Sequence, residues 1–354
     1  MIDVVVPVYE HYELMSSCLE HLAAQSAPHR VIVVDDGSRD GTPERLRREW
    51  PRTTVLELES NGGYTRAVNH GVRAGEGEYV VLLNNDVQPQ PDCLERLVAP
   101  MERDPRVGSV AALMLAPGER ATIDSFGVSA DITLAGFARL QGQPPARVHA
   151  GVPAPIGTEG VPTMAGLKGI SAPAGPEGAP ALAGLDSAPA LAGPEGTTGA
   201  YRRAAWEQVG GFDETISAYM EILDLALRLR SAGWSTAQAP DAVGVHLGSV
   251  TYGRRSATQR RLAGFSRGYL LRRYGVLRRR VAPRALLTEA LVVAGDALLC
   301  RDLEALRGRL QGWHAARGCE RHPWPPQEAI DHSISLRESL ALRRGAVRGP
   351  GEER

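Results

Sequence analysis

The apolar run Tyr79-Val80-Val81-Leu82-Leu83 ends in Asn84-Asn85-Asp86, a polar triplet closed by a carboxylate. One Asp beside two amides is a lean platform for a hard cation such as Mg²⁺ or Mn²⁺. Such ions take one or two carboxylates and complete their shell with substrate phosphate oxygens. Other polar clusters also follow apolar runs: Pro7-Val8-Tyr9, Asp35-Asp36-Gly37-Ser38 and Asn61-Gly62-Gly63. The paired carboxylates only accept hydrogen bonds, which suits a nucleotide base or a ribose. Asp-Gly-Ser is equally ordinary turn chemistry. Glycines ahead of a helix let backbone amides approach a phosphate, and a plain turn accounts for them equally well.

These clusters need elements to position them. Val4–Val8, Val31–Asp35, Val55–Leu58, Tyr79–Leu83 and Gly108–Leu115 are short apolar runs, as expected of strands buried on both faces. Helical stretches separate them at Tyr12–Gln25, Thr42–Glu49, Thr65–Ala74 and Pro91–Glu102. The alternation predicts a parallel, doubly wound α/β sheet, whose ligands bind beyond the carboxyl ends of the strands. Later signals are helices at Arg202–Val209 and Glu221–Ser231, a strand at Ala242–His246 and helical character over 281–316.

Composition narrows the class. A formal charge of −1 over 354 residues gives no global attraction to nucleic acid. Cys18, Cys93, Cys300 and Cys319 form no CxxC pair and no disulfide scaffold. The most apolar long stretch, Ala285 to Leu299, is interrupted by Glu289 and Asp296 and is too short to span a bilayer. With no basic leader ahead of Ile2-Asp3-Val4, a reducing, cytoplasmic setting is expected. Residues 151–200 are Gly, Pro or Ala at 30 of 50 positions, which reads as a mobile low-complexity loop or a lid. Ten arginines and no acid lie between Gly248 and Arg280. That is either a solvated helix face or an anionic contact: a diphosphate, a phosphorylated acceptor, or a membrane met through Arg254–Arg280 at the inner face.

Taken together, the motifs resemble family 2 glycosyltransferases of the GT-A fold, in their rhamnosyltransferase-like branch. The resemblance runs through Val5-Val6-Pro7-Val8-Tyr9, Val33-Val34-Asp35-Asp36-Gly37-Ser38, Asn61-Gly62-Gly63, Asn69-His70-Gly71, Gly77-Glu78-Tyr79 and Leu83-Asn84-Asn85-Asp86. It continues at Tyr201-Arg202-Arg203, Gly210-Gly211-Phe212-Asp213-Glu214, Asp224-Leu225 with Arg228, Ala232-Gly233-Trp234, and His246 ahead of Ser249. It implies a Rossmann-like mixed sheet flanked by helices, with a C-terminal helical extension. It also implies metal-assisted, inverting transfer of a hexosyl or deoxyhexosyl group from a nucleotide-diphosphate sugar to an acceptor hydroxyl. The acceptor would be a glycan, a lipid-linked sugar or a small natural product. By the same resemblance Pro7, Tyr9 and Asp36 line the base pocket, and Asn61 and Gly62 sit near the nucleotide. Asn84, Asn85 and Asp86 hold the ribose and the metal-bound diphosphate, and His246 joins Asp86 at the divalent metal.

One position departs from the family pattern. Where the family carries its general base, this chain has Ile222. Glu221 and Asp224 are the candidates to replace it. A pseudoenzyme that binds nucleotide sugar without transfer is the rival reading. A nucleotidyltransferase would need a Gly-rich, basic loop after the first strand, which Pro7-Val8-Tyr9-Glu10-His11 is not. The expected organisation is a nucleotide-sugar half at 1–115 and an acceptor-side half at 116–250 with its loop at 151–199. An Arg-rich helical extension at 251–320 and a loose tail at 321–354 would follow.

Overall fold

Four apolar runs become parallel strands, β1 (Ile2–Val8), β2 (His29–Asp35), β3 (Thr54–Glu57) and β4 (Tyr79–Leu83), joined by helices α1 (Tyr12–Ala23), α2 (Thr42–Glu49) and α3 (Tyr64–Ala74). The computed structural model describes residues 1–118, 122–148, 190–248 and 256–345. The strand order β3-β2-β1-β4 places α1 and α2 on one face and α3 on the other. Alternation along β1 feeds both cores. Val4, Val6 and Val8 pack with Met15 and Leu19 of α1, while Val5 packs with Val68 of α3. Register aligns Val8 with Asp35 and Asp35 with Glu57, so the loops bearing Tyr9, Asp36 and Asn61 leave one common edge.

The second half of the sheet is not parallel throughout. After β5 (Val87–Pro89) and α4 (Cys93–Arg103) comes β6 (Val107–Ala116), then β7 (Thr122–Ser125) and the hairpin β8 (Val128–Ala130) and β9 (Gly136–Ala138). Strand β10 (Thr198–Arg202) inserts between β4 and β6, antiparallel to both. The full order is β3-β2-β1-β4-β10-β6-β11-β5, with β7 added on β6. The sheet is thus mixed, which corrects the parallel expectation and agrees with the mixed sheet implied by the resemblance. β11 (Ser235–His246) is longer than the sequence suggested, and its register on β6 slips between Ala239 and Val243, around Pro240. Proline has no N–H to give the ladder, which accounts for an interruption there.

Most of the low-complexity loop expected at 151–199 lies outside the described residues. Its last ten residues do not behave as a loose loop. Ala192 is fully buried, Gly193 pairs with Val128, and Thr198 opens the central strand β10. Helix α5 (Arg203–Val209) follows, and α6 (Glu221–Ser231) covers the same face as α3.

The arginine-rich stretch proves to be an internal fastener in its described part. Helix α7 (Ala257–Arg273) crosses α9 (Glu304–Ala315) through Gly264 and Gly268 against Gly308 and Gly312. A Cβ at Gly268 would overlap the Arg309 carbonyl, and one at Gly312 that of Phe265. Between them α8 (Ala282–Cys300) contributes Glu289, which binds Arg267 at 2.7 Å, Arg309 at 2.8 Å and Arg343 at 3.0 Å. Arg260 pairs with Asp302, Arg272 stacks over Trp313, and Arg273 reaches His322. Neither a solvated basic face nor a membrane contact along the whole of Arg254–Arg280 therefore describes this segment. Arg254 and Arg255 lie outside the described residues, and among the other arginines of the stretch Arg261 and Arg278–Arg280 are exposed.

The tail from 321 to 345 is likewise not loose. Ile330 and Ile334 are buried, the Asp331 amide donates to the Ala130 carbonyl at 2.7 Å, and α10 (Leu336–Gly345) sets the Ser339 hydroxyl on Asp131. Single anchors separated by prolines carry no periodicity, so no element is legible there from the residues alone.

Glu289 supplies a stability test. Burial alone would raise its carboxyl, but three guanidiniums override that and hold it well below the usual carboxylate range. Glu289→Ala strands buried arginines and is expected to cost about 3–5 kcal/mol in denaturant unfolding. Because its folded-state affinity for protons is depressed, the contribution is complete above the ordinary glutamate range and declines as pH falls below it. The variant should therefore lose the wild type's stability gain between pH 3 and pH 6, at about 1.4 kcal/mol per pH unit at most.

Candidate active site

The carboxyl edge of β1, β2 and β4 opens into a cleft of about 840 Å³. Pro7, Tyr9, Asp36, Asn61, Asn84, Asn85, Asp86, Glu221, Ile222 and His246 all line it. Gly62 and Asp224 do not. Gly62 instead donates its amide to Asp36 Oδ1 at 2.7 Å, and Gly63 donates to Oδ2 at 2.9 Å. Asp36 thus braces the Asn61–Gly63 loop, using one lone pair on each oxygen and leaving acceptor capacity toward the cleft. Burial raises its proton affinity, and those two amides pull it back only in part. Asp35 turns away, accepting from the Gly37 and Ser38 amides. Gly37 is required there: its φ is +81°, and a Cβ would lie 2.7 Å from the Ser60 backbone.

Beyond β4 three side chains form a short chain. His246 Nδ1 lies 2.8 Å from Asp124 Oδ2, and Nε2 lies 3.2 Å from Asp86 Oδ2. A carboxylate only accepts, so Nδ1 donates to Asp124, and this fixes the ring. Burial pushes the imidazole down, but the Asp124 hydrogen bond and the charges of both carboxylates hold it up at about 10, so the ring is an imidazolium unless a bound cation displaces the Nε2 proton. Asp86 Oδ1 is buried without a hydrogen-bond partner among the described residues, and Nε2 makes no well-aligned bond despite its proximity to Asp86. Two converging, undersatisfied donors of these types suit one divalent cation whose remaining positions go to diphosphate oxygens. No cluster of three such ligands exists among the described residues; Asp124 sits on Nδ1, the ring nitrogen away from Asp86, where it supports His246.

Asp124, on β7, carries no motif and was not legible in the sequence. A carboxylate behind a ligating histidine orients the ring and raises its basicity. Asp124→Asn is expected to weaken Mn²⁺ affinity by about 10–100-fold, measured by Mn²⁺ electron paramagnetic resonance. Metal-free nucleotide binding should not change.

Across the cleft, α6 starts abruptly. Tyr219 and Met220 take left-handed φ values of 62° and 63°, at roughly 1–3 kcal/mol each for non-glycine residues. This turn delivers Glu221 to the cleft wall beside Ile222. Burial pushes the Glu221 carboxyl up to about 7; its own backbone amide lowers it slightly, and Glu195 adds a like charge. Its Oε2 is hidden from solvent and has no hydrogen-bond partner among the described residues. Glu195, also missed in the sequence, lines the same wall with one oxygen held by the Thr197 amide and hydroxyl.

Asp224 is not available for chemistry. It is fully buried, with Arg228 on Oδ2 at 2.7 Å and the Tyr274 hydroxyl on Oδ1 at 3.0 Å. It fastens α6 to the C-terminal helices. Contrary to the expectation, it is therefore not a candidate base.

Comparison with known proteins places this cleft in context. The sequence model of Glycosyl transferase family 2 matches residues 3–133. An N-acetylglucosaminyl-diphospho-decaprenol L-rhamnosyltransferase of Mycobacterium tuberculosis is 30% identical over 246 residues, 66% of this chain and 72% of that protein. A dodecaprenyl-phosphate galacturonate synthase of Rhizobium johnstonii is 32% identical over 110 residues, 29% of this chain and 32% of that protein. The crystal structure of GalNAc-T7 with UDP, GalNAc and Mn²⁺ aligns with 98% of this chain and 57% of its own, with a TM-score of 0.55 at 12% identity. That likeness is one of fold.

Proposed function

The chain belongs to glycosyltransferase family 2 and has the GT-A fold, and from that premise we propose that it transfers a hexosyl or deoxyhexosyl group, with inversion, to a lipid-linked acceptor hydroxyl. It is a glycosyltransferase that uses a nucleotide sugar. The observation that carries the finer reading is the convergence on one cleft of the Asp36–Asn61 loop, the Asp86–His246 pair and Glu221. The lipid-linked acceptor is supported by a relative that acts on a diphospho-decaprenol sugar. The cytoplasmic setting is kept from the four free cysteines, two of them buried.

In this reading Pro7, Tyr9 and Asp36 seat the base, with Asn61 alongside. Asn84 and Asn85 contact the ribose and diphosphate. Asp86 and His246 hold Mg²⁺ or Mn²⁺, as Mn²⁺ in a GT-A neighbour supports. When bound, the cation offsets charge on the departing diphosphate as a Lewis acid. Glu221 takes the proton of the acceptor hydroxyl as that oxygen attacks the anomeric carbon. A carboxyl poised near neutrality is suited to that task, and Ile222 beside it excludes water. Glu221 brings an ionisable group to the cleft wall beside Ile222, which supports transfer over the non-transferring reading.

The experiment is release of nucleoside diphosphate from a panel of nucleotide sugars with Mn²⁺, with and without prenyl-diphosphate-linked sugars. Metal-dependent release, accelerated by such an acceptor and accompanied by a product one sugar heavier, is expected. Release that no prenyl-linked acceptor accelerates would overturn the acceptor assignment.

A further inference from the structure

Apart from Met1, all exposed large hydrophobic side chains among the described residues fall on one part of the C-terminal extension. Five are leucines of α8, and Leu303 and Leu310 lie just after it. Leu298 and Leu299 are each 80% exposed. The exposed positions of α8 from Pro283 to Leu299 are all Pro, Ala or Leu. They recur every three or four residues, so they form one stripe. The helix is inverted relative to a soluble one: its acid Glu289 is turned inward onto three arginines, and its leucines face out. A surface helix ordinarily does the reverse.

The stripe has basic ends. Arg278, Arg279 and Arg280 are exposed immediately before α8, and Arg301 immediately after it. Next to the first end is a cavity of about 130 Å³ walled by Arg272, Arg278, Arg321 and Trp313, with no carboxylate in its lining. We propose that this face seats the protein on an anionic bilayer, with α8 lying in the membrane plane. Its leucines enter the headgroup–acyl boundary, and the arginines bind lipid phosphates. At 19 residues α8 does not cross; no helix among the described residues is long and apolar enough to do so.

Charge selects this occupant over a second copy of the chain. A two-fold antiparallel pairing of α8 would bring the Arg278–Arg280 end of one copy to Arg301 of the other. A parallel pairing would set the two triplets together. Either opposes like charges, whereas an anionic surface satisfies both ends at once. The proposal goes beyond the transfer reaction and does not depend on it.

The test is sedimentation of the full chain with vesicles of phosphatidylcholine alone or mixed with phosphatidylglycerol, in the absence of donor and acceptor. The wild type is expected to pellet with the mixed vesicles, less at high salt, and far less with neutral ones. Leu291→Glu/Leu298→Glu and Arg278→Glu/Arg280→Glu should each weaken partitioning by at least about tenfold. Their melting temperatures and Mn²⁺-dependent nucleotide-sugar binding should match the wild type. Wild type that stays in the supernatant with both vesicles overturns the proposal, as does undiminished binding by the leucine variant. So does a wild-type dimer, seen by light scattering, that the leucine variant splits and that binds no vesicle; that result assigns the face to a second copy.

Discussion

Glu221→Gln is expected to lower turnover by about 10²–10⁴-fold, the contribution of a positioned general base, while leaving donor affinity unchanged. The amide keeps the shape of the side chain but cannot take the acceptor proton. The wild-type pH profile carries the same signature. A base works only when deprotonated, so activity should rise with pH through about 7, where burial places the Glu221 carboxyl, and level off above. In Glu195→Gln one like charge is gone, and the rising limb should shift to lower pH. Adding Ile222→Asp to Glu221→Gln restores a carboxylate at the neighbouring position and should recover part of the lost turnover. Full turnover in Glu221→Gln would remove it from the mechanism.

Asp86→Asn should abolish metal-dependent donor binding and cut kcat/KM by about 10³-fold or more, several kcal/mol of lost charge stabilisation. The fold should survive, because the architecture relies on the Asp86 carbonyl, which accepts from the Leu247 amide at 2.9 Å. Its side chain has one buried oxygen with no hydrogen-bond partner among the described residues. Isothermal titration with nucleotide and Mn²⁺ against nucleotide alone separates the metal's share from that of the base pocket.

The nucleotide-sugar half was legible because β1, β2 and β4 are buried on both faces and write that burial as unbroken apolar runs. Polar residues at their ends then had to fall along one edge. Strand β10 was hidden by its composition: Thr198-Gly199-Ala200-Tyr201-Arg202 has no apolar run. Its partners Val110 and Val81 lie some ninety to one hundred and twenty residues away. Asp124 was invisible for the same reason, since only pairing of β7 with β6 carries it to His246. The structural role of Asp224 does carry a local signal: Arg228 follows at i+4, the spacing of a helix ion pair. Successive helix residues point about 100° apart, so Glu221 can face the cleft beside Ile222 only from a distorted helix start. The left-handed pair Tyr219-Met220 supplies that distortion, and nothing in two non-glycine residues announces it. The arginine stretch looked like a surface because the acids that bind it, Glu289 and Asp302, lie outside it in sequence.

The central claim is that the cleft binds a nucleotide-diphosphate sugar through a cation held by Asp86 and His246. Thermal unfolding of wild type and Asp86→Asn against a panel of nucleotide sugars, each with and without Mn²⁺, tests it most directly. One donor should stabilise the wild type only when Mn²⁺ is present, by about 2.7 kcal/mol at 100 times its dissociation constant, and should leave Asp86→Asn unmoved. Stabilisation that is indifferent to Mn²⁺, or that persists in Asp86→Asn, would contradict it.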